Sequence, residues 1–523
     1  MAERRRARLL LPLAGILLLA VAWALLERNG MIGPDMALRS GEQPAATPQS
    51  RVPGSAPRIY YGPPNSVAVL PFADRSPAGG DEALARGFAA EVQGRLEAVP
   101  SLQVTATRSS FFFDDPQASR RIVAERLKAA YLLHGDWRPQ DGLLEVTATL
   151  FDARRGRESW SREFSGSLDR IEALRDAIAR DVLEAMARTD ALPPAPDTPA
   201  DHRAWAALQQ ARYLADPLGA MDLQAAESRL REALGFEPAY DAARLALAEL
   251  LLHPSYDPAG REAAVAEARQ RIGEVLENAA AAPADLAQAW GLQSHLLHDE
   301  DWRWRAAADA ADRALELRPG DAGLLALASL ARFSLGDLAQ AVEWLEGSIR
   351  RDPLNLGSRL RLGLVQEFAG RYDEALASYR QLLALREDYP AAHAYRARVK
   401  VLQGKAESAL REVAQESHPF WKRYAEILAL VAAQRQEEAE SGLGRMIAED
   451  GEVAAFQVAE ILAFAGEIDR AFEWLERARE RRDGGLSAVL GNPLLQSLHE
   501  DDRWERLLQQ LGLPAENDGA AKP

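Results

Sequence analysis

Two stretches of the sequence combine residue types that could do chemistry. The first is SVAVLPFADRSPAGGDEALARGF, residues 66 to 88, where an apolar run crosses a polar loop with Gly79-Gly80 and enters a helix-like pattern. Strand, glycine loop and helix is the order of parts in a nucleotide-binding fold, whose glycines let backbone N–H groups converge on a phosphate. No G-x-G-x-x-G and no Gly-Lys-Ser/Thr step follows Phe72, however, and Gly79-Gly80 leads into Asp81-Glu82, which repel such an anion. Those acids instead suit the positive end of a helix dipole. The second stretch is HLLHDED, residues 295 to 301, with His295 and His298 at i, i+3 ahead of three acids. Such a set holds a metal only with a fixed third ligand. None is identifiable, and in a 34-residue register both histidines fall on helix-packing positions. No Ser, His and acid grouping can be recognised. The expectation is a chain that is not an enzyme, with no catalytic residues, cofactor, metal or small-molecule substrate.

Composition and periodicity supply the elements that position these residues. With 523 residues and 47% apolar content the chain can fill more than one core. Its formal charge of −16 repels polyanions, which argues against nucleic acid as a partner. Cysteine is absent, removing thiol nucleophiles, disulfides and Cys-ligated zinc. Arg4, Arg5, Arg6 and Arg8 precede an uncharged run of 18 residues, Leu9 to Leu26, near the lower limit for a helix that crosses a bilayer. Residues 1–8 then read as a cytoplasmic basic segment and 9–26 as a transmembrane signal anchor. A cleaved signal peptide is the competing reading, since Ala22-Trp23-Ala24 has a small-x-small form. The expected location is the bacterial inner membrane, single-pass, with the N-terminus cytoplasmic and the bulk periplasmic. Residues 27–64, rich in Gly, Pro, Ser, Ala and Gln, read as a flexible linker.

From 66 to 189 the pattern is mixed. Strands are expected at Val67 to Phe72, Leu102 to Ala106, Tyr131 to Trp137, Leu144 to Phe151 and Glu158 to Phe164, with helices at Glu82 to Leu96, Ser119 to Ala129 and Leu168 to Met186. This predicts a compact α/β domain with a mixed sheet. At least one or two of Phe111-Phe112-Phe113 belong in its core. After the proline-rich break at 191–201 strand signals disappear and the helical pattern repeats. Gly336, Gly370 and Gly404 lie 34 residues apart, each followed five residues later by Ala341, Ala375 or Ala409. That period marks tetratricopeptide repeats, carried best by residues 356 to 389 and extending as about seven or eight helix pairs over 203–482. Residues 483–513 read as a capping segment and 514–523 as a disordered tail.

SVAVLPFADRS, GFAAEVQGRLEAVPSLQVTATRSSFFF, AERLKAAYLLHGDWR, LLEVTATLFDARRGRESWSREF and LDRIEALRDAIARDVLEAM follow one another through residues 66 to 187. In that order they resemble the TolB-like amino-terminal α/β domain of bacterial proteins fused to tetratricopeptide repeats. The ending NPLLQSLHEDDRWERLLQQLGL is similar to the way such proteins finish. The resemblance implies attachment to a cytoplasmic DNA-binding or cyclase effector, from which this chain departs, its cytoplasmic part being about eight residues. The fold class expected is therefore α/β plus all-α: a transmembrane helix, a TolB-like domain, then a helical solenoid.

Stacked helix pairs offer a groove lined by their first helices. In this register the groove residues are Phe333, Leu364, Glu367, Phe368 and Arg398, set to hold a peptide or helix of a protein partner. Clamps for a C-terminal carboxylate carry Lys and Asn at positions that Ala326, Leu330, Leu360, Leu364 and Ala394 fill here, so that ligand is not indicated. The expected function is a membrane-anchored periplasmic scaffold. The alternative is the sensory ectodomain of a signalling system whose effector is a separate protein.

Overall fold

A computed structural model describes residues 61–514, apart from 78, 116, 141–142, 194–198, 200, 217–218, 220 and 258. The described molecule is mostly helical. No helix among the described residues is long and apolar enough to cross a membrane. The longest, Arg261–Glu277, has 17 residues and carries Arg and Glu along its length, whereas a span needs about 20 apolar residues. The expected fold class, with its transmembrane helix, and the expected single-pass inner-membrane location are corrected on this finding. The segment 9–26 that carries both expectations lies outside the described residues.

Strands β1 (Ser66–Val69), β2 (Ala73–Asp74), β3 (Gln103–Val104), β4 (Tyr131–Gln140), β5 (Leu143–Asp152) and β6 (Arg157–Ser167) form one mixed sheet in the order β3-β1-β4-β5-β6, with β2 beside β4. β1 runs parallel to both neighbours, and β4, β5 and β6 are antiparallel. β1 is covered on both faces, which is why it reads as an unbroken apolar run. Val67 and Val69 join the core under the helices Glu82–Glu97 and Ile171–Ala185, while Ala68 and Leu70 join that under Arg120–Leu127. The alternation in β5 sends Val146, Ala148 and Leu150 into the first of these cores. Phe111 is buried, Phe113 packs on the second core, and Phe112 is 40% exposed.

Among the described residues eight helix pairs follow, from His202–Leu214 with Leu223–Phe236 to Ala455–Phe464 with Ile468–Glu480. A turn with one left-handed residue joins the two helices of each later pair. Gly336, Gly370, Gly404 and Gly466 occupy it with φ of 77°, 70°, 71° and 80°, and Trp302 and Gln434 hold the same place at 56° and 57°. Beyond each, the next amide closes onto a carbonyl of the finished helix, as Asp337 N onto Arg332 O at 3.0 Å and Arg435 N onto Leu430 O at 3.0 Å. Five residues after each turn residue stands an alanine, at 307, 341, 375, 409, 439 and 471, all buried, where two helices come closest. Trp304 is buried and Trp302 half-buried beneath the Arg482 guanidinium.

The array closes on itself. Short 3₁₀ turns at Gly484–Ala488 and Pro493–Leu498 carry Leu486, Val489, Leu490, Leu494 and Leu495 into the same core as Phe333 and Phe368. Leu490 lies beside the Gly336 turn, and Ser497 Oγ donates to Ala463 O at 2.7 Å. Thus the segment after the eighth pair reaches back to the fourth. The helix Asp502–Gln510 then ends the chain's packed part, with Trp504 and Leu508 buried.

Candidate functional site

The structure brings the five expected groove residues together and buries them. Phe333, Leu364, Glu367, Phe368 and Arg398 are 3%, 6%, 0%, 8% and 4% exposed, so the expectation of a partner-facing groove here is corrected. Residues 484–498 pack into the same core. Phe333 and Phe368 meet at a tilt with 5.0 Å between ring centres. Arg398 Nε approaches Glu367 Oε1 at 2.7 Å as an ion pair without hydrogen-bond alignment, and Arg398 Nη1 stands 3.6 Å from Glu460 Oε1. Tyr424 Oη and Asn492 Nδ2 each donate to Glu460 at 2.8 Å, tying the network to the closing segment. Burial pushes the Glu367 carboxyl up to about 7 against the pull of Arg398. Burial likewise lifts Asp483 to about 6, although the Gly485 and Phe456 amides donate to it.

His295 and His298 converge on one acid. A π turn at Leu296–Glu300 lets His295 Nδ1 reach Asp299 Oδ2 at 3.1 Å while His298 Nδ1 bonds Asp299 Oδ1. On its other side His298 Nε2 lies 2.9 Å from Ser334 Oγ. Serine, histidine and aspartate here have the connectivity of a hydrolytic triad. Ser334 is 1% exposed, however, and its hydroxyl also lies 3.2 Å from Leu330 O, so no substrate carbonyl reaches it. Burial works against both charges, yet Asp299 raises the His295 pKa and the two histidines hold Asp299 well below the usual carboxylate range. The cluster fastens the third pair to the fourth. Among the described residues no group of three or more His, Cys, Asp or Glu is arranged to hold a metal.

An open concavity lies elsewhere, between the α/β domain and the N-terminal half of the solenoid. It is a cleft of about 630 Å³, a volume within the range of ligand pockets. One wall is the helix Glu82–Glu97 with Ala83, Gly87, Ala90 and Gly94 facing inward. The other wall comes from first helices of the solenoid, through Arg212 and Tyr213, then Ala246 and Leu250, and Asp321 at the start of Ala322–Ser334.

Two sets of contacts hold the walls apart. At one end Trp205 stacks on Trp137 of β4 at 6.4 Å and donates its indole N–H to Glu91, which Gln209 Nε2 also reaches at 3.2 Å. Burial raises the Glu91 pKa, opposed by Arg175. At the other end Ser109 Oγ donates to Asp352 Oδ1 at 2.5 Å and accepts from Leu354 N at 2.9 Å. There Ala106 N also donates to Arg351 O at 2.7 Å, and Arg318 Nη2 to Glu97 Oε2 at 2.8 Å. The four-residue helix Thr107–Ser110 is thus the far clasp. Sequence reasoning missed this cleft, because its walls come from segments more than 100 residues apart. The one signal was Arg108-Ser109-Ser110-Phe111, legible as a motif but silent about Asp352.

Comparison with known proteins agrees with the helix-pair geometry. Residues 356–389 match the tetratricopeptide repeat. Other tetratricopeptide-type pairs extend that unit in both directions. A protein of Rhizobium meliloti (strain 1021) named "Putative adenylate cyclase 3" is 28% identical over 121 residues, which is 23% of this chain and 21% of that protein. The chain therefore spans about a fifth of that relative's length. Among solved structures, PilW, described as a widely conserved type IV pilus biogenesis factor, is 17% identical with a TM-score of 0.35, covering 41% of this chain and 93% of its own. A tetratricopeptide repeat protein from Parabacteroides merdae is 14% identical with a TM-score of 0.33, covering 57% of this chain and 99% of its own.

Proposed function

We propose that the chain is a non-enzymatic scaffold that binds protein partners, built from units at 66–189, 203–482 and 483–513. The first unit is read as a TolB-like domain on the motifs of residues 66 to 187. Tetratricopeptide arrays present concave surfaces to polypeptides, and here the part left open is the cleft shared with the α/β domain. That shared cleft carries the proposal: it is walled by repeat helices, large enough for a ligand and fixed at both ends. The test places a photo-crosslinking residue at Ala90, Ala246, Leu364 or Glu440 in turn. Partner adducts are expected from Ala90 and Ala246 and not from buried Leu364. Adducts from Glu440 alone, exposed on the helix Gln436–Asp450 away from the cleft lining, overturn the proposal.

A second reading is favoured by the match to a protein named as a cyclase. In it the chain regulates a separate effector, and docking changes that effector's activity. The scaffold reading expects docking without such a change, so an activity assay on the crosslinked partner separates the two.

A further inference from the structure

The polar groups of the cleft are unevenly satisfied. Its lining carboxylates have partners within the chain: Glu97 and Asp321 face Arg318 at 2.8 and 3.1 Å, Asp216 faces Arg86 at 3.4 Å, and Glu249 accepts from Gln288 Nε2 at 3.3 Å. Arg86 and Arg318 are neutralised by the same pairs. Arg212 differs. It lines the cleft from the helix His202–Leu214, is exposed, and makes no ion pair or hydrogen bond among the described residues. Its charge reaches buried Glu91, but that carboxylate is already held by Trp205, Gln209 and Arg175. One turn before Arg212, Gln209 is 1% exposed, and its Oε1, with no hydrogen-bond partner among the described residues, packs against Gly87 of the opposite wall. Next to it Tyr213 is 40% exposed. On the opposite wall Gly94 is exposed in the last turn of its helix, and a Cβ there meets nothing within 4 Å. No group among the described residues uses the room it leaves.

We infer that the cleft selects a polypeptide segment carrying a carboxylate, which pairs with the Arg212 guanidinium while the segment's backbone lies along Ala90 and Gly94. The inference rests on the cleft being the partner site proposed above. A guanidinium offers donors in a planar fork that matches a carboxylate. An arginine simply solvated at a surface leaves the vacant space at Gly94 without a use. The carboxylate belongs either to an Asp or Glu side chain or to a chain terminus.

The test presents the full-length protein with a mixed library of peptides about five residues long, half with a free C-terminal carboxylate and half amidated, and identifies the retained members by mass spectrometry. Retained peptides are expected to be enriched in Asp and Glu, in the free terminus, or in both, which tells the two sources apart. Arg212→Gln is expected to lower their affinity about tenfold or more, Arg212→Lys to restore part of it, and Arg212→Glu to turn the preference toward basic peptides. Enrichment unchanged by Arg212→Gln, or absent from the start, overturns the inference and leaves the cleft standing. Gly94→Trp, which fills the cleft from a position with room for it, is expected to abolish retention of all peptides. If retention survives Gly94→Trp, or the unsubstituted protein retains nothing, the cleft reading falls and this inference with it.

Discussion

Glu367 has no exposed surface, and its carboxyl is raised from 4.5 to about 7 because burial outweighs the attraction of Arg398. Between those two values the folded chain holds a proton that the unfolded chain has released, so stability falls as pH rises through that window. Asp483, raised from 3.8 to about 6 by burial, acts in the same direction. Relative to Glu367→Gln, the wild type is therefore expected to lose melting temperature between about pH 4.5 and about pH 7, against an opposing gain from His134, which burial lowers to about 4. A calorimetric series in which the variant keeps the full slope refutes the assignment. Trp205→Phe keeps the stacking on Trp137 but removes the indole donor from buried Glu91. A loss of about 1–3 kcal/mol is expected from chemical denaturation. At this scale the sequence shows identity without surroundings: Arg398 and Glu367 are visible as charged groove positions, whereas the buried network that holds them takes in Glu460 and, through it, Asn492 of the closing segment.

The helix pair is the element that reads most directly from sequence, because its turn and its contact each require one small residue at a fixed place. Gly336, Gly370 and Gly404 supply the left-handed turn, and the alanines five residues later supply the close approach. Where the turn is made by Trp302 or Gln434 the same geometry persists without the glycine that announces it. A non-glycine residue in this conformation costs about 1–2 kcal/mol. Gln434→Gly is accordingly expected to stabilise the protein by about 0.5–1 kcal/mol after glycine's own entropy cost. Gly370→Ala is expected to destabilise it by about 1 kcal/mol, since a Cβ there meets no neighbour and only the backbone objects. Melting curves of the pair decide the point: equal signs contradict it. The short strands β2 and β3 are two residues each, too brief for alternation to show, whereas the ten-residue β5 shows it plainly.

Across the whole molecule, residues 300–354 receive contacts from both ends. The α/β domain reaches them through Ser109 and Glu97, and the closing segment reaches them through Leu490 and through Arg482, whose guanidinium donates to Glu300 O at 2.5 Å. None of these long-range contacts has a periodic signature, so the repeats were legible and their closure was not. Because Trp205 and Ser109 fasten the α/β domain at two separate points, the wild type is expected to unfold in one calorimetric transition. Ser109→Ala with Trp205→Ala is expected to split off the α/β domain as a second transition. A single transition in the double variant contradicts that coupling. The two fastenings have a further consequence for what enters between them. A repeat array left free bends to suit its guest, whereas jaws pinned at both ends keep one aperture, so the cleft behaves as a gauge: segments thicker than the gap beside Gly94 are refused whatever their charge.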